Sequence, residues 1–254
     1  NRLGWALGKR FAGKAKVVYE FETFFNQSTY LYPAMAALFR SLGVQMAQMW
    51  TYTLTPTAEY GGGSHYLNLD CTPRKAVSFR LASQVFHTEP RLAPYPASRD
   101  DATLGSGPWS VSFPGDLAVW QGGGTLIHTG PIEAGSLLSQ EAVHRIAGYG
   151  GSPLVGYDGR GAYFLEVSDQ AIDITVRPDA SFVRPPWQPA GRWPWTKGCL
   201  LDAAARHRLT LRLPGREGGD VYRLDDHGRT PVTVAGPGLA FDVCAGTYRV
   251  ERRR

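Results

Sequence analysis

The spacing of apolar residues changes character near residue 91, which limits the chain to an architecture with two kinds of layer. Before that point, helical and strand patterns alternate. Lys16 to Tyr19 is a short apolar run that reads as a buried strand. Leu31, Ala34, Met35, Leu38, Phe39 and Leu42 then recur at three- and four-residue spacing, with Ser28 or Thr29 placed to cap the helix and Gly43 to end it. Val44 to Trp50 reads as a second buried strand. A loop containing Gly61-Gly62-Gly63 follows, and Thr72-Pro73 opens a helix whose buried face is Ala76, Phe79, Ala82 and Phe86.

From Leu92 onward, helical spacing gives way to strict alternation. Ile172, Ile174 and Val176 oppose Asp173, Thr175 and Arg177, and Leu209, Leu211, Leu213 and Leu239, Phe241, Val243 repeat the pattern. Asp226-His227-Gly228 is a hairpin signal. Gly (30) and Pro (18) make up about 19% of the chain, against a usual share near 12%, which favours strands and turns. These textures divide the chain into residues 1–91, a β-sandwich module over 92–190, and a smaller one over 191–254, with the Pro/Trp-rich stretch Pro185 to Trp195 between the last two.

A helix, strand, helix, strand, helix order over residues 1–90 implies parallel strands with helical crossovers. Two such strands close no core of their own. The expected fold is therefore α/β plus all-β: the last two βα units of a (β/α)8 barrel, followed by β-sandwich modules. On that expectation six strands lie upstream of Asn1, and the chain is a piece of a longer protein, since it begins without a methionine or signal peptide.

Composition excludes several classes. The net charge of +5 owes much to Arg252, Arg253 and Arg254, and no basic run marks a nucleic-acid footprint. The longest uncharged stretch, Ser41 to Ala58, contains Gln, Thr and Pro and is no membrane span. Cys71, Cys199 and Cys244 form neither a C-x-x-C pair nor a zinc pattern; a Cys199–Cys244 bond in a secreted protein and three buried thiols both remain open. No motif for a nucleotide, a metal or another cofactor occurs, and oligomeric state is not legible.

The chemistry expected at such strand ends is specific. The first strand ends in Tyr19-Glu20-Phe21-Glu22 and the second in Met49-Trp50-Thr51-Tyr52. A carboxylate beside an indole suits sugar cleavage, with the carboxylate at the anomeric carbon and the ring stacked on the sugar's apolar face. Val17-Val18-Tyr19-Glu20-Phe21 and Gln45-Met46-Ala47-Gln48-Met49-Trp50 resemble the seventh and eighth strands of retaining (β/α)8 glycoside hydrolases, the clan of cellulases and β-galactosidases. His65-Tyr66-Leu67-Asn68-Leu69 and Thr72-Pro73-Arg74-Lys75-Ala76 resemble the final loop and helix of bacterial glycosidases of that type.

The resemblance implies that Glu20 is the catalytic nucleophile and Trp50 the platform, with Tyr52, His65 and Asn68 as substrate contacts. Asn68 in a bracing role and His65 in solvent are the bland alternatives. The general acid of that clan follows an Asn, and none of Asn1, Asn26 or Asn68 precedes a Glu, so the acid is expected upstream and the chain alone inactive. The partner implied is a carbohydrate, a polysaccharide or its oligosaccharides, in a secreted or periplasmic setting rather than the cytoplasm. The competing class is a non-catalytic carbohydrate-binding β-sandwich protein, with Trp109, Trp120, Trp187, Trp193 and Trp195 as stacking platforms or as seals between domains.

Overall fold

The computed structural model describes residues 3–23, 28–58, 67–96, 102–137, 142–183, 198–235 and 238–252. The helix expected from Asn1 is instead two 3-10 turns, Gly4–Leu7 and Lys9–Phe11, neither of which buries a residue. Strand β1 (Val17–Phe21) follows, then helix α1 (Leu31–Ser41), β2 (Met46–Met49), the single turn α2 (Thr55–Ala58) and α3 (Pro73–Thr88). The remainder is β: β3 (Thr103–Ser106), β4 (Trp109–Ser112), β5 (Leu117–Gly122), β6 (Thr125–His128), β7 (Arg145–Gly148), β8 (Val155–Gly156), β9 (Tyr163–Val167) and β10 (Ala171–Val176). Then come β11 (Asp179–Val183), β12 (Gly198–Asp202), β13 (His207–Leu211), β14 (Asp220–Asp225), β15 (Gly228–Val232), β16 (Leu239–Val243) and β17 (Gly246–Glu251).

This overturns the expected barrel-plus-sandwich fold. Among the described residues strand makes up 39% and helix 19%, with three α-helices, so the molecule is mainly β. β1 and β2 are parallel, as the crossover order requires, but among the described residues they pair only with each other. Their helices do not line a ring. Instead α1 and α3 pack together and lie on a ten-stranded sheet of order β15-β14-β17-β10-β9-β7-β6-β5-β4-β3. A βαβα order specifies parallel strands and crossovers; it does not specify what the helices cover.

The large sheet is the middle layer. Along β5 to β9 its residues alternate between two cores. Ala118, Trp120, Ile127 and Ala147 face Tyr32, Ala36, Val77, Leu81 and Val85 of the helices. Val119, Leu126, Ile146 and Leu165 face the other way, toward a three-stranded sheet β16-β13-β8 that supplies Val155, Leu209, Leu211, Leu239 and Phe241. The alternations read from sequence sit as expected: Ile172, Ile174 and Val176 are buried, as are Leu209, Leu211 and Leu213. β10 pairs with β17, so strands from residues 92–190 and from 191–254 share one sheet. The stretch Pro185 to Trp195, with Trp187, Trp193 and Trp195, lies outside the described residues. Trp109 and Trp120 are buried in the helix-facing core and offer no platform.

Helix ends show where local signals hold and where tertiary contacts replace them. α1 terminates as a Schellman motif: Gly43 has φ +81°, its N–H donates to the Arg40 carbonyl and Val44 N–H donates to that of Phe39. At the start of α1, Ser28 and Thr29 do not cap. Ser28 Oγ and Thr29 N–H both donate to the Asp116 carboxylate, at 2.8 and 2.6 Å, across the interface to the β4–β5 turn. Thr72, expected to cap α3, instead donates its hydroxyl to the Asn68 carbonyl, while Pro73 takes the first helical position. The buried face of α3 also runs through Val77, Ser78, Leu81 and Val85 rather than only the Ala76 and Phe79 line.

Among the described residues no helix is long and apolar enough to cross a membrane.

A buried histidine lies within the sheet. His128 is wholly inaccessible; its Nδ1–H donates to the Gly130 carbonyl and its Nε2 accepts from the Tyr163 hydroxyl, each at 2.8 Å. Gly148 on β7 makes room, because a Cβ there would strike both rings. Burial lowers the His128 pKa from 6.5 to about 4. The unfolded chain therefore takes up this proton at higher pH than the folded one, and protonation favours unfolding across that window. The contribution is full above pH 6.5 and declines as pH falls to 4, by about 3 kcal/mol. Urea titrations at pH 7 and pH 4 should show a smaller loss for His128→Asn than for the unsubstituted protein; equal losses would refute the assignment.

Candidate functional site

The ends of β1 and β2 hold the residues singled out from sequence. The parallel register runs Val17↔Met46, Val18↔Ala47, then Phe21↔Met49, so three steps on β1 span two on β2. The additional residue is a bulge on β1. Val18 and Phe21 both pack inward on the helices, although strict alternation would put them on opposite faces. The bulge absorbs that parity change and leaves Tyr19 and Glu20 together on the exposed side, Tyr19 at 75% exposure. The Trp50 backbone N–H donates to the Phe21 carbonyl at 3.0 Å, which places Trp50 beside the end of β1. Trp50 and Tyr52 are each about half exposed, at 51% and 56%, and the Trp50–Thr51 peptide is cis. Glu20, Trp50 and Tyr52 thus share an open rim: a solvated carboxylate with two half-exposed aromatic residues.

The loop beyond the rim is fixed by Asn68. This side chain is fully buried. Its Nδ2 donates to the Thr53 carbonyl at 2.6 Å and to Thr55 Oγ1 at 3.2 Å, while its Oδ1 accepts from the backbone N–H groups of Asp70 and Cys71. Asn68 therefore braces the loop through both ends of its amide and presents nothing to solvent. Thr55 also donates to Asp70 Oδ2, and Asp70 Oδ1 lies 2.6 Å from both Nε and Nη2 of Arg177 after β10. The rim is tied in this way to the large sheet. His65, expected as a substrate contact, lies outside the described residues.

In the sequence Glu22 and Lys75 stand only as members of the strand-end and final-helix motifs. In the fold they form a buried ion pair at 2.6 Å, with side chains 8% and 5% exposed. The same Glu22 oxygen, Oε1, accepts from Tyr32 OH at 2.8 Å and from Thr23 N–H at 2.6 Å. Its other oxygen is buried and makes no hydrogen bond among the described residues. Burial lowers the Lys75 pKa, opposed by the Glu22 hydrogen bond and charge. Desolvation, reinforced by the carboxylate, raises that of Tyr32 well above the usual phenol range. A signal existed: Lys75 falls on the inward face of α3, between Ala76 and the helix start, where a lysine requires a buried counter-ion.

Other features lie elsewhere. The surface cavity of about 230 Å³ bounded by Ile172, Arg216, Val250 and Arg252 contains no residue of the rim. Among the described residues no group of three or more His, Cys, Asp or Glu side chains is placed to hold a metal ion. Compared with known protein families, curated proteins and solved structures, the chain matches none.

The geometry gives a direct stability test. Lys75→Met leaves the Glu22 carboxylate buried without its cation and should cost about 3–5 kcal/mol in urea unfolding. Glu22→Gln combined with Lys75→Met should recover much of that loss, because no charge is then stranded. A single substitution costing under about 1 kcal/mol would show that the pair is solvated.

Proposed function

We propose that this chain acts on carbohydrate, and that Glu20 is the nucleophile in retaining hydrolysis of O-glycosidic bonds of a polysaccharide or oligosaccharide. The observation that carries the reading is the β1 bulge, which directs Glu20 outward beside the half-open ring of Trp50. In this reading the carboxylate attacks the anomeric carbon from one face, forming a glycosyl–enzyme ester that water later hydrolyses. Trp50 and Tyr52 hold the sugar by stacking on its C–H face.

Such chemistry requires a second carboxyl about 5 Å from the first, protonated to assist departure of the leaving group. The other described carboxylates before Glu89 are Glu22 and Asp70, and both are held in ion pairs, Glu22 with the buried Lys75 and Asp70 with the partly exposed Arg177. Neither is assigned as the acid. This favours a second reading, in which the same rim binds saccharide without cleaving it.

Incubation with 2-deoxy-2-fluoro-glycosyl fluorides of the gluco, galacto, manno and xylo series, followed by peptide mapping, separates the two. Hydrolytic chemistry should leave a fluorosugar on Glu20, since fluoride departs without a general acid, and Glu20→Gln should abolish the label while retaining oligosaccharide affinity. Trp50→Ala should weaken that affinity about tenfold by calorimetric titration. Binding without label supports the second reading. Absence of both binding and label overturns the carbohydrate assignment.

A further inference from the structure

We propose that Cys71 and Cys199 are a reversible disulfide pair that clamps the loop behind the rim to the β11–β12 hairpin. The two are 128 positions apart, yet the Cys199 thiol points at the Cys71 carbonyl at 3.7 Å. They share one small apolar cluster with Ala58, and their exposures are 1% and 7%. The third cysteine belongs to another neighbourhood: Cys244 Sγ lies 3.7 Å from the Tyr248 hydroxyl of its own hairpin. Cys199 therefore sits beside Cys71 and away from Cys244, its other candidate partner.

Position gives the pair a consequence. Cys71 follows Asp70, which holds Arg177, and its N–H is fixed by Asn68, which also carries Thr53 and Thr55. Cys199 lies on β12, which among the described residues pairs only with β11. A two-stranded hairpin outside the main sheet opens at lower cost than a central strand, and this is the route by which an oxidant reaches the buried sulfurs.

The chemistry balances with a small-molecule disulfide such as oxidised glutathione. One cysteine thiolate attacks a glutathione sulfur and releases glutathione thiolate. The second cysteine then displaces the other glutathione, forming the Sγ–Sγ bond. Two cysteine thiols lose two electrons and two protons, and one glutathione disulfide becomes two thiols. The link closes a loop of more than a hundred residues, so it should raise Tm by roughly 5–15 °C.

The test uses the full chain, both folded and refolded from urea in a glutathione redox buffer. Non-reducing peptide maps should show Cys71 joined to Cys199, a mass lower by two hydrogen atoms, and Cys244 as the one alkylatable thiol. Reductant should reverse both the link and the Tm rise, and Cys71→Ala or Cys199→Ala should abolish them. If either variant fails to fold, the peptide map of the unsubstituted protein still decides. A bond involving Cys244, glutathione adducts that never resolve to a Cys71–Cys199 link, or no oxidation after refolding would overturn the proposal.

Discussion

Burial of the large sheet on both faces is the constraint from which the other contacts follow. A parallel strand pair such as β1 and β2 has too little area to be stable alone, and its helices need a second surface for their apolar stripes. Strands β5, β6, β7 and β9 supply it by sending alternate residues to opposite sides. Trp120, Ile127 and Ala147 meet α1 and α3, while Val119, Leu126 and Ile146 meet the small sheet. Shifting any of these strands by one residue would exchange the two sets and empty both cores of their matched volumes. The helices and the small sheet consequently fix the register of the same strands from opposite sides.

Polar contacts then set how the parallel unit sits on that sheet. Asp116, in the β4–β5 turn with φ +43°, accepts through its carboxylate from Ser28 and Thr29 and through its carbonyl from Thr29 and Arg74. Arg74 also donates to the Thr129 carbonyl, and Thr129 donates to the Thr29 hydroxyl. Asp70 and Arg177 form a second tether across the same boundary. Hydrogen bonds to charged groups contribute about 1.5–3 kcal/mol each, and orientation matters more than the total. Apolar packing is tolerant of sliding, whereas a carboxylate shared among several donors is satisfied in one arrangement only.

These tethers explain which features were legible in the sequence. Periodicity identified α1, α3 and the alternating strands because it reports which side of an element is dry. Gly43 was legible as a helix end because only its local backbone matters there. What periodicity does not report is the identity of the surface on the dry side. The βα order of residues 1–90 suggested a barrel, while the helices in fact cover Leu104, Trp109 and Ile127 of a β-sheet more than fifteen residues downstream. Ser28, Thr29 and Thr72 fit every local rule for capping and were drawn away by partners remote in the chain or by the buried Asn68. Within the candidate site, the strand-end position of Glu20 and Trp50 was readable from order alone. The inward position of Lys75 called for a counter-ion, but that Glu22 supplies it was not readable, because the two are 53 positions apart and meet only when α3 folds back over β1.

The bulge on β1 connects that buried pair with the exposed rim. Counting by strict alternation from Val18, Glu20 faces the helices and Phe21 faces outward, which would strand a carboxylate in the apolar cluster of Phe39, Leu42 and Val44. One inserted residue reverses this. Phe21 turns inward against Tyr32 and Phe39, with ring centroids 5.9 and 5.3 Å away, and Glu20 is released to solvent. Glu22 can then fold beneath the strand end, where Lys75 and Tyr32 receive it. Two carboxylates two residues apart thereby acquire opposite environments, one open beside Trp50 and one buried against an ammonium. The aromatic packing of Phe21 and the Glu22 ion pair stabilise the bulge from below, which is how a strand too short to hold its own geometry can present Glu20 in a defined position.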